Sequence, residues 1–344
     1  MKICIISFDY WNYDHHIVSK LQEKGVDASH INMGAYRYKN FGERFRNALS
    51  KIFLNKNIKH IKRQQYVLDS LAKLGPQDKI LVLNPHNLDY ETIKQIKSYT
   101  PYLISYLYDN LERFPVKDRL ELFDKIYSFE DKDVNKYGFE KITNYNYISD
   151  QPVQSDTVEH DLFYITSYDK YRIKLLRKLV AHLSDFHIKS RIIVVGKQVW
   201  KEKLRNFFLR PTGSTLIEFR KKPISNEAVL NEYKKSKVII DLMREGQEGL
   251  SFRIFEAMAL EKKIITDNPS IIDYDLYATQ NILYIDKNLS NLDLSFFNSP
   301  YKKISDDIYE RYTLDTWLKK FLILKVFSIN EEKNFIYRSR LLRI

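Results

Sequence analysis

The chain is poor in cysteine, glycine and proline. Cys4 is the only cysteine in 344 residues, so neither a disulfide within the chain nor a cysteine-based metal centre can form. Only 9 glycines and 9 prolines stand beside 25 tyrosines and 20 phenylalanines, which argues against a disordered chain. No apolar run approaches the roughly 18 residues of a membrane-spanning helix, and the opening MKICIISFDYWNYDHH lacks the longer apolar stretch of a signal peptide. We therefore expect a cytoplasmic protein.

Acidic residues are fewer than basic ones. The 56 Lys and Arg against 44 Asp and Glu give a formal net charge of +12. Such a balance favours a polyanionic partner, which can be nucleic acid, an anionic membrane surface or a phosphorylated small molecule. A coding bias toward Lys, Asn, Ile and Tyr explains the same charge equally well. Because no nucleic-acid recognition motif is present, we expect no nucleic-acid partner.

Apolar strand patterns alternate with helical ones along most of the chain, which predicts an α/β fold with parallel sheets. The predicted strands are 2–8, 26–32, 79–86, 102–110 and 125–130 in the first half, then 161–168, 190–196, 237–242, 262–267 and 282–285. A polar segment at 143–160 is interpreted as a linker. The predicted domains are therefore 1–150 and 151–303, with a closing helix and tail at 304–344 that pack back toward the first domain. Ligands are expected in a cleft at the carboxyl ends of the strands.

Residues 245–267, EGQEGLSFRIFEAMALEKKIITD, place Glu248 and Glu256 on either side of a predicted helix start. The loop Met243–Leu250 follows the strand 237–242, so it lies at the ligand-binding edge of the sheet. Glycines in this loop allow close approach by a ligand, and the free N–H groups of the helix start suit a phosphate. The alternative is a plain amphipathic helix with Arg253 and Glu256 in solvent.

This stretch resembles the Glu-x7-Glu signature of the retaining group-1 glycosyltransferases of the GT-B fold, which has two Rossmann-like domains. The form EGLSFRIFEAMAL is most similar to their spore-maturation-protein-like branch and to capsule and lipopolysaccharide enzymes. The resemblance extends upstream through KPISNEAVLNEYKKSKVIIDL and covers about 161–290. It is weaker around YLYDN and FDKIYSFEDKDVNKYGF. It implies transfer of a sugar from a nucleotide-sugar donor to a growing surface glycan or lipid-linked acceptor, with retention and without a metal or other cofactor.

The resemblance also implies roles for individual residues. Glu256 would hold the ribose hydroxyls, Glu248 would contact the donor sugar, and the amides of Gly249 and Leu250 would hold the diphosphate. Arg253 would bind phosphate oxygens or an acid partner. The family's early Arg–Lys pair is not matched at its usual spacing, so Arg172 and Lys197 are taken as substitutes, with a solvated surface position as the alternative for each. The nucleotide base of the donor would lie near 222–224, around Pro223.

Other polar residues follow predicted strands of the first half. His15, His86 and Asp109 are candidate catalytic groups, because a histidine or a carboxylate at this edge could exchange a proton with the acceptor or bind it. Ordinary loop histidines are the alternative. Asp131 and Asp133 form a DxD pair, a weak signal for a metal–diphosphate site.

The segment 36–66 carries nine Lys and Arg against one acid, Glu43, with apolar residues at helical spacing. These are Phe41, Phe45, Leu49, Ile52 and Phe53. Such a helix could lie on the inner face of an anionic membrane, or it could be a solvated helical hairpin over the sheet. The tail 334–344 is also basic and could join this surface. Two other functions stay open, a catalytically inactive GT-B-like binding protein and a sugar-nucleotide epimerase.

Overall fold

The computed structural model describes residues 1–9, 12–36, 40–53, 57–148, 157–209 and 216–321, with the backbone alone at 44 and 51–53. Contacts divide them into two compact units. Of the described residues, unit 1 contains those of Met1–Ser128 and Asp133–Ile142 together with 310–321, and unit 2 contains those of Phe129–Lys132 and Thr143–Tyr309. The domain limits expected from the sequence stay predictions.

Twelve strands and twelve α-helices are assigned within the described ranges, besides short 3-10 helices. The strands are β1 (Lys2–Ser7), β2 (Asp27–Asn32), β3 (Lys79–Leu83), β4 (Leu103–Leu107), β5 (Lys125–Ser128), β6 (Glu140–Lys141), β7 (His160–Ser167), β8 (Ser190–Val195), β9 (Ile217–Arg220), β10 (Ser236–Asp241), β11 (Lys263–Thr266) and β12 (Ile282–Tyr284). The helices are α1 (Asp14–Glu23), α2 (Phe41–Phe53), α3 (Ile58–Leu74), α4 (Tyr90–Lys97), α5 (Asp131–Tyr137), α6 (Lys170–Leu183), α7 (Val199–Leu209), α8 (Asn226–Lys234), α9 (Phe252–Ala259), α10 (Asp275–Ala278), α11 (Asp306–Arg311) and α12 (Leu314–Phe321).

Unit 1 is built on a parallel sheet with the order β2-β1-β3-β4-β5-β6. Strands β1, β3 and β4 read as near-continuous apolar runs because helices cover both faces of such a sheet. Ile3, Ile5 and Ile6 of β1 are fully buried. The strand order reverses between β1 and β3, which is the topological switch point of a doubly wound sheet.

Unit 2 is built on a second parallel sheet with the order β12-β11-β10-β7-β8-β9. Read from β9, this is the 3-2-1-4-5-6 order of the Rossmann fold. β7 and β10 are its two central strands, with Leu162 opposite Val238 and Phe163 opposite Ile239. The switch point of this sheet therefore lies outside the carboxyl ends of β7 and β10.

The predicted fold class is confirmed, with two differences in detail. Strands β6 and β9 were not predicted, because each is short and lacks the apolar run that marks the others. The polar segment 143–148, interpreted as part of a linker, is largely buried, with Tyr145 and Tyr147 exposing 1% and 7% of their surface. Over the part of the chain that the structure describes, no helix has the length and apolar character needed to cross a membrane.

Candidate functional site

The loop Met243–Leu250 lies at the switch point of unit 2, between the end of β10 and the start of α9. Side chains from elsewhere in the unit hold its backbone at both ends. The Met243 N–H donates to the carboxylate of Asp267 at 2.7 Å, and the Leu250 carbonyl accepts from Asn144 at 2.9 Å. Between them, Asn268 donates to the carbonyls of Glu248 and Gly249 at 3.0 and 3.3 Å. The loop is thus a fixed element rather than a loose connection.

The backbone amides of this loop bind a carboxylate in this structure. Glu130 is 1% exposed, and it accepts the N–H groups of Glu248 at 2.7 Å and Gly249 at 3.2 Å. Backbone N–H groups ahead of a helix are a natural site for an oxyanion, and the Glu130 carboxylate is such an anion. The diphosphate contacts predicted for the amides of Gly249 and Leu250 stay predictions. In this structure the Gly249 amide donates to Glu130.

Gly249 is required by packing. A Cβ atom at this position would stand 2.1 Å from the ring of Phe129, far inside van der Waals contact. Gly246, in the same loop, has a φ of +79°, a left-handed conformation that favours glycine. The two glycines that the sequence pattern singled out are therefore explained by different causes, close approach for one and backbone geometry for the other.

Glu248 and Glu256 differ in their surroundings. The Glu248 side chain is 28% exposed. One of its carboxylate oxygens lies 2.9 Å from the ammonium nitrogen of Lys132, and the other accepts the backbone N–H of Lys132 at 3.1 Å. The Glu256 side chain is buried, and its carboxylate accepts a 2.5 Å hydrogen bond from the phenol of Tyr147. Asn226 donates to the same phenol oxygen at 3.3 Å. The alternative that placed Glu256 on a solvated helix face is therefore wrong.

The two predicted donor-binding arginines are engaged by protein groups. Arg253 donates to the Asp241 carboxylate at the end of β10 and to the Ile165 carbonyl at 3.0 Å. Arg172 is buried and donates to the Leu242 carbonyl at 2.8 Å. Both guanidiniums brace the carboxyl ends of the central strands, and direct contact with phosphate stays a prediction for each.

A third cation, which the sequence analysis did not select, spans the switch point directly. Arg244 belongs to the loop after β10 and donates to the hydroxyl of Ser167, the last residue of β7, at 3.1 Å. Its sequence context, DLMREG, offered no signal beyond a loop position. Lys197 and Pro223, both predicted donor contacts, are exposed beyond the ends of β8 and β9 at the same edge of the sheet.

In unit 1, Asp109 and His86 follow adjacent strands. Asp109 lies after β4, where its carboxylate pairs with Arg113 at 3.0 Å and lies 3.5 Å from the amide nitrogen of Asn84. His86 follows β3 and stacks on Phe114 with 4.1 Å between ring centroids. Burial, followed by the charges of Arg113 and Arg119, lowers the pKa of His86 to about 4, so this ring is neutral at pH 7.

His15 lies near the start of α1, with its ring 3.9 Å from that of His16. Beside it stands Asp14, which the sequence analysis missed because an acid that opens a helix is ordinary. Asp14 is 2% exposed and accepts a hydrogen bond from the phenol of Tyr108 at 3.3 Å. Burial, with the charge of Asp9 adding to it, raises the pKa of Asp14 to about 7. An acid that titrates near neutrality at the carboxyl end of β1 can exchange a proton with a hydroxyl group.

The second acid of the DxD pair, Asp133, is engaged by the protein backbone. The Asp133 carboxylate is buried and accepts the backbone N–H of Leu111 at 2.8 Å, which is a structural use of this acid. Within the described ranges, no group of three His, Cys, Asp or Glu side chains is arranged to hold a metal ion.

Comparisons with known proteins extend the fold assignment. No protein-family model matches the chain, and no curated protein matches it significantly. Among solved structures, the apo form of the lipopolysaccharide outer core galactosyltransferase WaaB matches at 12% identity, with 93% of this chain and 98% of that chain covered and a TM-score of 0.57. An alpha-glucosyltransferase in complex with UDP and a mismatched 13-mer DNA matches at 13% identity, covering 96% and 99%, with a TM-score of 0.56. Sucrose-phosphate synthase (tll1590) from Thermosynechococcus elongatus matches at 11% identity over 100% of each chain, with a TM-score of 0.55. At these identities the likeness concerns the fold, and the chain has the GT-B fold.

Proposed function

We propose that the protein is a glycosyltransferase that moves a sugar from a nucleotide-sugar donor to a glycan or lipid-linked acceptor of a surface polysaccharide. One observation carries the proposal. Glu248 and Glu256, the two acids of the resemblance, flank the start of α9 at the switch point of unit 2, where a doubly wound sheet binds nucleotides.

The donor would be bound by unit 2. The diphosphate takes the amides ahead of α9 and the guanidinium of Arg244, which supply donors and positive charge at the same edge. The buried carboxylate of Glu256, oriented by Tyr147, accepts the ribose hydroxyls. Glu248, which keeps part of its side chain exposed, contacts the sugar.

The reaction would proceed with retention at the anomeric carbon and without a metal. As the glycosidic bond to the diphosphate breaks, negative charge develops on the leaving group. Loop amides and cations already placed at the phosphates stabilise that charge, which is commonly the largest contribution to catalysis. Neither acid is assigned as a covalent nucleophile, because binding explains both.

Unit 1 would bind the acceptor. Asp14, Asp109 and His86 lie at the carboxyl ends of neighbouring strands, where a sugar hydroxyl could be oriented and deprotonated. Asp14 has the pKa best suited to that step.

Helix α2 of unit 1 would touch an anionic membrane that carries the acceptor. Its Phe41, Phe45 and Leu49 are exposed at 78%, 56% and 38%, while Asn47 and Ser50 are buried. The side chains of Ile52 and Phe53, the rest of the predicted stripe, lie outside the described residues, as does the basic tail 334–344.

Calorimetric titration with UDP, GDP, CDP, CMP and ADP, first without and then with magnesium, tests the proposal. Micromolar binding of one nucleotide without metal is expected. Glu256→Ala should abolish it, while Glu227→Ala, at an exposed position of α8, should not. Failure of every nucleotide to bind would refute the proposal, and binding only with magnesium would refute its metal-independent form.

The matching nucleotide sugars would then be offered with and without acceptor glycans, and the product would be followed by NMR of its anomeric proton. Retained configuration in an acceptor-dependent product is expected. Conversion of the sugar nucleotide into a stereoisomer in the absence of acceptor, rather than its hydrolysis, would instead identify an epimerase.

A further inference from the structure

Helix α7 of unit 2 packs on its neighbours through its polar side. Val199 and Glu202 are buried, and the Glu202 carboxylate accepts from Arg177 at 2.6 Å and from the phenol of Tyr168 at 3.2 Å. Asn206, one turn further, accepts from the same Arg177 at 2.9 Å. The usual pattern of a surface helix, apolar inside and polar outside, is therefore inverted here.

The opposite face of α7 exposes large apolar side chains. Trp200, Leu204, Phe207 and Phe208 are 59%, 50%, 71% and 71% exposed, at positions i, i+4, i+7 and i+8 of one helix face. Leu209, which ends the helix, is 67% exposed. A contiguous aromatic stripe in water is unfavourable unless something covers it, so such a patch marks an interaction site.

Cations flank this stripe on both sides. At 100° per residue, Lys203 lies on one side of it, and Lys201 and Arg205 lie on the other, and all three are exposed. The single acid of the helix, Glu202, points inward and is paired. The exposed surface of α7 therefore combines an apolar stripe with three positive charges and no negative charge.

We propose that α7 is a membrane-binding helix that lies in the interface of an anionic lipid bilayer. In that position the aromatic stripe reaches the acyl boundary, and the lysines and the arginine reach the lipid phosphates. Trp200 is well suited to the headgroup region, which favours its amphipathic ring.

The charges argue against a second copy of the chain as the occupant. A twofold contact pairs the same patch with itself, so three cations of one helix would face three cations of the other. A convex single helix face also offers no groove for a folded acidic protein. A bilayer surface supplies both the negative charge and the apolar layer that this face needs.

The inference goes beyond the proposed reaction and does not depend on it. It concerns unit 2, whereas the membrane contact proposed for α2 concerns unit 1, so the test must report on α7 itself. Trp200 provides that report, because its fluorescence responds to the surroundings of this helix.

The full chain would be mixed with phosphatidylcholine vesicles prepared with and without phosphatidylglycerol. Flotation measures binding, and quenching by lipids brominated on the acyl chain measures the depth of Trp200. Trp200→Phe keeps the apolar surface and removes the reporter. Its emission is therefore subtracted from that of the wild type, which cancels the other two tryptophans of the chain.

We expect binding to phosphatidylglycerol vesicles, with a blue-shifted and quenched Trp200 signal. The triple variant Lys201→Gln, Lys203→Gln, Arg205→Gln should bind about 100-fold less tightly, since each cation near an anionic surface contributes about 1 kcal/mol. The matched variant Lys174→Gln, Lys178→Gln, Lys189→Gln, at exposed positions of the same unit away from the proposed donor site, should bind within about threefold of the wild type if specific placement rather than net charge is the cause. Nucleotide titration and circular dichroism should be unchanged in both variants.

Vesicle binding without any change in the Trp200 signal would overturn the inference and assign the contact to α2 or the tail. An equal loss in the matched charge variant would also overturn it, in favour of nonspecific attraction. Dimerisation in sedimentation experiments that Phe207→Ser abolishes, with no vesicle binding, would show that a second copy covers α7.

Discussion

The phenol of Tyr147 donates a 2.5 Å hydrogen bond to the buried carboxylate of Glu256. Tyr147 comes from the polar segment 143–148 and Glu256 from α9, so the contact ties a segment without regular structure to the helix at the switch point. A hydrogen bond to a charged group contributes about 1.5–3 kcal/mol, and a buried carboxylate left without its donor costs more than an exposed one. The pair therefore fixes the orientation of the acid that is proposed to bind the ribose.

Removal of the phenol should weaken nucleotide binding through Glu256. We expect Tyr147→Phe to raise the Kd about tenfold, equivalent to about 1.4 kcal/mol. Glu256→Gln by itself should also weaken binding, and adding Tyr147→Phe to it should not raise the Kd further. Calorimetry on the two single variants and the double variant measures this coupling. Additive losses would show that the two residues act separately.

Substitution of Gly249 should force the loop and Phe129 apart. An alanine Cβ would stand 2.1 Å from the Phe129 ring, so we expect Gly249→Ala to lower the free energy of unfolding by about 1–3 kcal/mol. Because the clash needs both partners, adding Phe129→Leu should recover part of that loss. Urea unfolding of Gly249→Ala, Phe129→Leu and the double variant measures it, with Gly42→Ala of α2, whose nearest neighbour would be at 3.4 Å, as the control. A Gly249→Ala protein as stable as the wild type would contradict the packing explanation.

Ten of the twelve strands, all but β6 and β9, could be predicted because most buried parallel strands are unbroken apolar runs, such as KILVL and KVIID. The loop with Glu248 follows for the same reason, since it starts where one such run stops. Which strands are neighbours does not follow from those runs. The reversal of order between β7 and β10 comes from pairing over long chain distances, and it is what puts this loop at the switch point.

The partners of the site residues could not be predicted, since they come from distant parts of the chain. Glu130 lies 118 positions from Glu248, and Tyr147 lies 109 positions from Glu256. Local pattern describes TNYNYI as a polar loop, and only packing shows that it is buried. The exposure of the apolar face of α7 could not be predicted either. Apolar residues at helical spacing normally indicate a buried face, and here that face lies in solvent.

Removal of the charge on Glu130 should strengthen diphosphate binding. The carboxylate occupies the amides of Glu248 and Gly249, so it competes with a phosphate and repels it. Glu130→Gln keeps an acceptor oxygen but not the charge. Two charges 4 Å apart interact by about 1 kcal/mol in water and by more at a buried site such as Glu130, so the affinity for the nucleoside diphosphate should rise at least about fivefold. Calorimetry should show no such gain for the corresponding nucleoside or for Glu227→Gln. Weaker binding by Glu130→Gln would mean that the charge instead holds the loop in its binding conformation.

The buried carboxyl of Asp14 should make stability depend on pH. Burial raises its pKa from 3.8 to about 7, so between these values the folded chain holds a proton that the unfolded chain has released. The wild type therefore loses stability as pH rises through this range, by up to about 1.4 kcal/mol per pH unit. Asp14→Asn removes the titrating group, so its free energy of unfolding relative to the wild type should increase from pH 4 to about pH 7 and then level off.

Urea unfolding at several pH values measures this difference. Asp27→Asn, at an exposed position, is the control, and its difference from the wild type should not change with pH. A constant difference for Asp14→Asn would mean that this acid is ionised in the folded protein throughout the range, and that the proton proposed to pass between it and the acceptor hydroxyl is carried by another group.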